Sequence, residues 1–159
     1  MKIILNNNSL YKALRPFNDV GFVPTMGSIH EGHISLIERS NRTCKKTIVS
    51  IFVNPKQFNN KKDFKNYPTN IKKDIKILKK TKKVDFLYIP KFKDIYNNNK
   101  KSKIKIIKKD KVLCAKYRKG HFEGVLDVMG RLTNLVNPKK IFMGKKDYQQ
   151  YFLIKKYLK

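Results

Sequence analysis

The sequence predicts a parallel α/β sheet with flanking helices, in one domain that spans residues 1–159. Three observations support this expectation. Short apolar runs alternate with segments of helical apolar spacing, the connections between them are short, and each loop of unusual composition follows a predicted strand. Parallel strands joined by right-handed crossovers bind ligands at their carboxyl ends, so these loops lie where that fold would place a site.

The first predicted elements are two strands separated by a loop and a helix. Residues 20–23 form a short apolar run that ends at Pro24, which predicts a strand. Residues 33–42 carry apolar side chains beside polar ones and predict a short helix. Residues 47–53 (TIVSIFV) are β-branched and apolar, and predict a buried strand that an Asn-Pro pair ends.

The middle of the chain predicts a helix, a strand and several polar segments. Residues 59–68 are polar and aromatic and predict a loop, whereas apolar residues recur at i, i+4 and i+7 over residues 71–78 and predict an amphipathic helix. Residues 84–89 (VDFLYI) predict a strand. Residues 96–103 are rich in Asn and Lys and predict an exposed loop, and the Lys/Ile alternation of residues 103–109 favours an edge strand.

The last part predicts two helices around a short strand. Residues 125–136 carry the clearest helical stripe of the sequence, which an Asn-Pro pair ends. Residues 140–143 predict a short strand, residues 144–147 a loop and residues 148–158 a final helix.

The formal net charge of +27 raises the question of a nucleic-acid partner. Lys supplies 33 of the 38 basic residues and Arg only 5, whereas proteins that read bases and phosphates favour the planar fork of Arg. Lys, Asn and Ile are all abundant, all three have A/T-rich codons, and the lysines are widely spread. Composition therefore favours coding bias and no nucleic-acid partner, with a nucleic-acid surface as the alternative.

Other features of the sequence bear on the compartment. No apolar run approaches the ~18–20 residues of a membrane span, and residues 1–8 turn polar too soon for a signal peptide. Cys44 and Cys114 have no metal-ligand spacing and make no disulfide framework. The simplest expectation is a soluble cytoplasmic protein without a membrane partner.

The first chemical motif is the segment PTMGSIHEGH, residues 24–33, between a predicted strand and a helix. His30 and His33, three residues apart at a helix start, can face one ligand, where unpaired N–H groups and the helix dipole favour an anion. Gly27 and Gly32 allow close backbone approach to phosphates. Imidazoles can donate to a developing pyrophosphate charge without a metal, and no third zinc ligand lies nearby. The alternative is a pair of surface histidines.

Together with three further motifs, this segment resembles a known family. The motifs SIFVNPKQF (residues 50–58), RKGHFEGV (residues 118–125) and FMGKKDYQQ (residues 142–150) are similar to its SIFVNPxQF, RPGHFRGV and FGEKDxQQ patterns. All four stand in the family's order and cover essentially the whole chain. The sequence is identified as a member of the pantothenate synthetase (pantoate–β-alanine ligase) family, in the HxGH nucleotidyltransferase superfamily with its Rossmann-like fold.

This resemblance implies an ATP-dependent ligase with two half-reactions. ATP would adenylate the carboxylate of (R)-pantoate and release pyrophosphate. The amine of β-alanine would then attack the pantoyl adenylate, giving pantothenate and AMP. Mg²⁺ is expected because it normally accompanies ATP phosphates, no protein metal site is expected, and the family resemblance implies a homodimer.

The resemblance also implies site residues. The two ATP-binding loops would comprise Met26, Gly27, Ser28, Ile29, His30, Glu31, Gly32, His33, Gly144, Lys145, Lys146 and Asp147. His33 would be the proton donor and His30 a second catalytic contact. Gln57 would bind pantoate and lie near β-alanine, and Gln150 would be the second pantoate contact. Lys146 would face phosphate charge and Asp147 the ribose hydroxyls.

The sequence departs from the family pattern at several points. Lys145 stands where the family has glutamate and Glu123 where it has arginine, while Arg118 and His121 serve either substrate electrostatics or the fold. The family's next strand, its Ser-Ser-Arg-Asn loop and its C-terminal lid domain are absent from this sequence. A natural truncation, half of a split enzyme and an incomplete sequence all explain this, and we expect the 159-residue chain alone to catalyse the whole reaction poorly.

Three other functions remain as alternatives. They are another nucleotidyltransferase of the same fold, a basic nucleic-acid-binding protein, and a folded product of a decaying gene. Gln57 and Gln150 discriminate against the first, because they would serve pantoate and not a nucleotidyl acceptor.

Overall fold

Five parallel strands form one sheet in this computed structural model, which describes residues 1–96, 104–110 and 112–158. The strands are β1 (Lys2–Ile4), β2 (Val20–Thr25), β3 (Lys46–Ile51), β4 (Phe86–Tyr88) and β5 (Lys140–Ile141). Their spatial order is β1-β4-β3-β2-β5, and every pairing is parallel. The predicted parallel α/β architecture is confirmed.

Helices connect these strands. Those in the described residues are α1 (Asn7–Leu14), α2 (Glu31–Thr43), α3 (Lys61–Lys65), α4 (Ile71–Thr81), α5 (Phe92–Tyr96), α6 (Cys114–Tyr117), α7 (His121–Val136) and α8 (Tyr148–Tyr157). Within the described residues, no helix is both long and apolar enough to cross a membrane.

The sheet is buried on both faces because each strand alternates between two apolar clusters. Phe22 and Ile48 belong to the cluster that contains residues of α1, α7 and α8. Their neighbours Val23 and Val49 belong to the other cluster, with residues of α2 and α4. Strands with both faces covered contain near-continuous apolar runs, which is why residues 47–51 could be recognised in the sequence.

The strand order reverses beside β2. From β2 the chain proceeds to β3 and then β4 on one side, whereas β5 pairs with the opposite edge of β2. A crevice outside the carboxyl ends of the strands at such a reversal is the usual ligand site of an open parallel sheet. Here β2 and β5 are neighbouring parallel strands, so the loops that follow them, with the predicted residues 26–33 and 144–147, would border such a crevice.

Several predicted elements differ from the structure. The predicted strand over residues 103–109 is wrong for its described part, since residues 104–107 are irregular and Lys108–Asp110 is a 3₁₀ turn. Ile106 is buried in the core and the Asp110 carboxylate accepts from Lys156 and Tyr157, so tertiary contacts replace strand pairing. The rest of the predicted loop and strand, residues 97–103, lies outside the described residues.

Several short elements, β1, α1, α5 and α6, are not predicted from the sequence. The predicted loop over residues 59–68 contains α3, whose first turn Asn60 caps by accepting from the Lys62 N–H. These segments have three to eight residues, too short for a periodic pattern.

The glycines of α7 provide a test of this packing. A Cβ at Gly124 would lie 2.4 Å from the carbonyl oxygen of Lys56, so Gly124→Ala must displace backbone and should lower the free energy of unfolding by about 1–3 kcal/mol. A Cβ at Gly130 would lie 3.4 Å from its nearest neighbour, a side-chain atom of Leu158, which is ordinary contact. Gly130→Ala should therefore raise the free energy of unfolding by about 0.5–1 kcal/mol. Urea unfolding of both variants measures the difference, and equal effects would contradict this packing.

Candidate active site

The loop after β2 is held to the neighbouring strand by one threonine. The Thr25 hydroxyl donates to the carbonyl oxygen of Ser50 on β3 (2.7 Å) and accepts from the Gly27 N–H (3.1 Å). Gly27 and Ser28 then have φ values of 86° and 52°, in the left-handed region. Glycine adopts this conformation without penalty, whereas a serine there needs support from its surroundings.

A carboxylate that the sequence interpretation missed provides that support. Asp74 on α4 is 2% exposed, and its two oxygens accept from the backbone N–H groups of Ser28 (3.0 Å) and Ile29 (2.8 Å). The Ser28 hydroxyl adds a bond to the carbonyl oxygen of Pro68 (2.8 Å). The conformation of the loop is therefore stabilised by hydrogen bonds to α4 and to the segment before it.

His30 is the N-cap of α2. Its ring Nδ1 accepts from the Gly32 N–H at 3.1 Å, which fills one of the unpaired donors of the first turn. An accepting Nδ1 carries no proton, so the neutral ring bears its hydrogen on Nε2. The ring is exposed, which leaves that donor accessible from the crevice.

His33 follows one turn later and lies against His30, with ring centroids 4.1 Å apart. Its Nδ1 is buried and has no hydrogen-bond partner within the described residues. Burial lowers the pKa of His33 below its ordinary value of 6.5, the proximity of His30 lowers it further, and Asp74 opposes the shift. The lowered pKa favours the neutral ring near pH 7. The two rings lie together, and their binding of one ligand stays a prediction.

The turn after β3 is built around a buried amide. Asn54 is fully buried, donates to the carbonyl oxygen of Gly124 on α7 (3.1 Å), and accepts from the Lys56 N–H (3.2 Å) and the Tyr96 hydroxyl (3.0 Å). Every polar atom of this amide except one N–H thus has a described partner. The network joins β3, α5 and α7 at the position from which Gln57 projects.

Gln57 is 8% exposed and contacts the β2 loop, since its Nε2 donates to the Met26 sulfur at 2.9 Å. Its main-chain carbonyl oxygen accepts from Nδ1 of His121, 2.7 Å away. That contact gives His121 a part in supporting the turn, the second of the two roles expected for it. Burial, the largest cause, lowers the pKa of His121. Arg118 by contrast is exposed.

A cavity of about 260 Å³ lies beside these two loops, at the carboxyl ends of β2, β3 and β4. Its walls are mainly apolar and include Met26, Phe52 and Ile89, with Asp74 as the charged residue. Ile71, predicted for the buried stripe of α4, is 44% exposed and lines this cavity instead. A larger depression of about 610 Å³ lies elsewhere, lined by polar residues such as Asn18, Lys45 and Lys139, and contains none of the predicted site residues.

The loop after β5 follows the strand that pairs with β2 on the side opposite to β3. Residues 144–147 are exposed and Gln150 is half-buried in the first turn of α8. Within the described residues, no hydrogen bond joins this loop to His30, His33 or Gln57. The adjacent Gln149 donates to the carbonyl oxygen of Val112 (2.6 Å).

The described residues contain no group of three or more His, Cys, Asp or Glu side chains that could hold a metal ion. Asp74 is the carboxylate beside the histidine loop, and backbone N–H groups occupy both of its oxygens.

Comparisons with known proteins agree with the motifs. A family model described as pantoate-beta-alanine ligase matches residues 2–159. Pantothenate synthetase of Leptospira interrogans serovar Lai is 50% identical over 139 residues, which is 87% of this chain and 48% of the relative. That of Pseudothermotoga lettingae is 40% identical over 156 residues, or 98% and 55%. The chain thus spans about half the length of the curated relatives it matches.

Solved structures show the same likeness. Pantoate-beta-alanine ligase of Francisella tularensis, complexed with beta-gamma ATP and beta-alanine, has a TM-score of 0.94 and 40% identity, covering 99% of this chain and 62% of that one. Pantothenate synthetase of Thermus thermophilus has a TM-score of 0.93 and 34% identity, covering 99% and 57%.

Two histidines, the half-buried His33 and the buried His121, predict a pH dependence of stability. The pKa values of His33 and His121 lie below the ordinary 6.5 in the folded state, so the unfolded chain binds more protons as pH falls through about 6.5. The free energy of unfolding should therefore decrease from about pH 7.5 to about pH 5.5. Urea unfolding of the wild type and of His121→Gln measures this, and the variant should show a shallower decrease. An unchanged slope would contradict the assignment for His121.

Proposed function

Because this chain belongs to the pantoate–β-alanine ligase family, as its four motifs predicted, we propose that it binds ATP and (R)-pantoate and forms pantoyl adenylate for condensation with β-alanine. The observation that carries the proposal is the contact between the two loops: the His30 and His33 rings lie together, and the Gln57 amide contacts Met26 at the start of the same loop. Residues 1–159 would form a Rossmann-like domain for nucleotide and pantoate, equivalent to the N-terminal portion of longer relatives.

In the first half-reaction, a pantoate carboxylate oxygen attacks the α-phosphorus of ATP. The bond from that phosphorus to the bridging oxygen breaks, and pyrophosphate leaves with the electron pair. Residues 26–33 and 144–147 would hold the nucleotide. His30 can offer its Nε2–H because the Gly32 N–H occupies its Nδ1, and donors aimed at the developing negative charge lower the barrier.

His33 would supply a proton to the departing pyrophosphate. Its ring is neutral in the protein alone, since burial lowers its pKa. A polyphosphate placed against the ring favours the protonated form, so nucleotide binding would be coupled to proton uptake at this residue. Lys146 would add a positive charge from the opposite loop, and Asp147 would accept from ribose hydroxyls.

Pantoate would occupy the space between Gln57 and Gln150. An amide both donates and accepts, which suits a substrate with two hydroxyls and a carboxylate. The apolar walls of the adjacent cavity, such as Met26 and Phe52, suit the substrate's dimethyl carbon. The β-alanine amine, entering near Gln57, would attack the acyl carbon of the adenylate and expel AMP.

Mg²⁺, cytoplasmic location and a homodimer belong to the same proposal. Mg²⁺ would arrive with ATP, held by phosphate oxygens, its preferred ligands, and would neutralise their charge. Light scattering measures the oligomeric state, and a monomer at all concentrations would contradict the proposed homodimer. The lysines outside the four motifs would serve solubility, which favours the ligase over a nucleic-acid-binding protein.

The first half-reaction predicts pantoate-dependent isotope exchange between pyrophosphate and ATP. His33→Ala should reduce the exchange rate by about 100-fold or more, the range typical of a lost proton donor. Circular dichroism and urea unfolding of the variant control for folding. Exchange that needs no pantoate would favour a different nucleotidyltransferase, and an active His33→Ala protein would refute the role of His33.

The two adjacent glutamines of α8 separate a pantoate contact from a structural residue. Gln150→Ala should lower the affinity for pantoate by about 10-fold or more, because a polar group of the substrate would lose its hydrogen-bond partner. Gln149→Ala is the matched control, since that side chain donates to the Val112 carbonyl oxygen. Pantoate dependence of the exchange reaction measures both. Equal effects of the two substitutions would contradict the assignment of Gln150.

A further inference from the structure

We propose that Asp74 is a positioning residue, which holds the loop between β2 and α2 in the shape that presents His30 and His33 to ATP. The inference rests on the proposed function, because it assumes that these histidines face the nucleotide. Asp74 lies in none of the four motifs, and a carboxylate beside a phosphate site would by itself repel the ligand.

The contacts of the carboxylate support a positioning role. Both oxygens of Asp74 are used, one by the Ser28 N–H at 3.0 Å and the other by the Ile29 N–H at 2.8 Å. A Cβ at Gly27 would lie 2.9 Å from one of these oxygens, so the loop closely surrounds the carboxylate. The side chain is 2% exposed, so its carboxylate is buried against the loop.

These bonds act at the strained part of the loop. Ser28 has a φ of 52°, a conformation that costs a non-glycine residue free energy. Hydrogen bonds to an ionised carboxylate are stronger than neutral ones and offset that cost. After Ile29 the chain is extended at His30 (φ −138°, ψ 176°), where the helix begins and the ring caps Gly32. The position of both imidazoles thus follows from the conformation that Asp74 stabilises.

The same carboxylate acts on His33 electrostatically. The titratable groups that face this ring are His30 of its own loop and Asp74 of α4. The negative charge of Asp74 raises the pKa of His33, against the larger effect of burial. Tyr67, in the segment before α4, also faces Asp74, which together with burial raises the pKa of the tyrosine. A neutral residue at position 74 should therefore lower the pKa of His33 further.

Asp74→Asn tests this role, with Asp85→Asn as the matched control. The control carboxylate also accepts a backbone N–H, that of Thr47 at 2.8 Å, and a bond from Lys46, but at the amino end of β3, away from the site. NMR titration of the histidine rings and calorimetric titration with ATP are carried out on both variants of the 159-residue chain. The ring titration requires no catalysis, so it separates failure of this inference from failure of the proposed function.

For Asp74→Asn we expect the His33 titration to move to lower pH and ATP to bind about tenfold or more weakly, because the asparagine amide can accept only one of the two N–H bonds. Asp85→Asn should lower stability without moving either quantity. A folded Asp74→Asn protein with wild-type histidine titration and ATP affinity would overturn the inference, as would equal shifts in both variants.

A measurement on the wild type covers the case in which Asp74→Asn does not fold. The backbone N–H groups of Ser28 and Ile29 belong to a loop, yet both donate to a buried carboxylate. Their hydrogen exchange should therefore be slow, comparable to that of β2. Exchange as fast as in exposed loops such as residues 144–147 would overturn the inference.

Discussion

The pairing of β2 with β3 is the constraint on which the site depends. Six residues of each strand pair in parallel, so Thr25 lies level with Ile51 and both strands end at the same edge. The Thr25 hydroxyl then ties the first turn of one loop to the carbonyl oxygen of Ser50 on the other strand. Strand pairing and this hydrogen bond thereby bring together two separate segments of the chain, residues 26–33 and 54–57.

Buried polar groups maintain this arrangement where apolar packing alone would not specify it. Asn54 joins β3 to α5 and α7, His121 holds the Gln57 carbonyl, and Asp74 holds the β2 loop. Buried polar groups are costly when unpaired, so each network favours one loop conformation over its alternatives. The same reasoning accounts for Gly124, whose lack of a side chain lets α7 reach the main chain of Lys56.

The elements that can be predicted from the sequence are those whose conformation is determined by residues close together in the chain. Residues 47–51 are mainly β-branched because both faces of β3 are covered, and the loop with His30 and His33 has residues typical of a helix start. By contrast, β1 has three residues and is a strand only because Ile3 pairs with Leu87. Residues 103–109 were predicted as a strand from their Lys and Ile residues, yet Ile106 is buried in the core although residues 104–107 are irregular.

Asp74 was missed for a related reason, because an aspartate in a lysine-rich helix is ordinarily solvated. One signal was present: Asp74 lies four residues before Leu78, a fully buried residue of the same helix face. Its role depends on the approach of α4 to a loop more than 40 residues earlier, which no local pattern reveals.

In the protein without a ligand, the Gln57 amide already donates to the Met26 sulfur, so a ligand that binds Gln57 must replace this contact. A thioether sulfur accepts hydrogen bonds weakly, so the amide is oriented and shielded from water while giving up little bonding enthalpy when a ligand oxygen replaces the sulfur. A ligand without an oxygen at this point would leave the amide facing sulfur instead of bulk water. The amide is already largely removed from water when the chain folds. The difference in affinity between a ligand with an oxygen at this point and one without it therefore depends on how much more strongly the amide binds oxygen than sulfur.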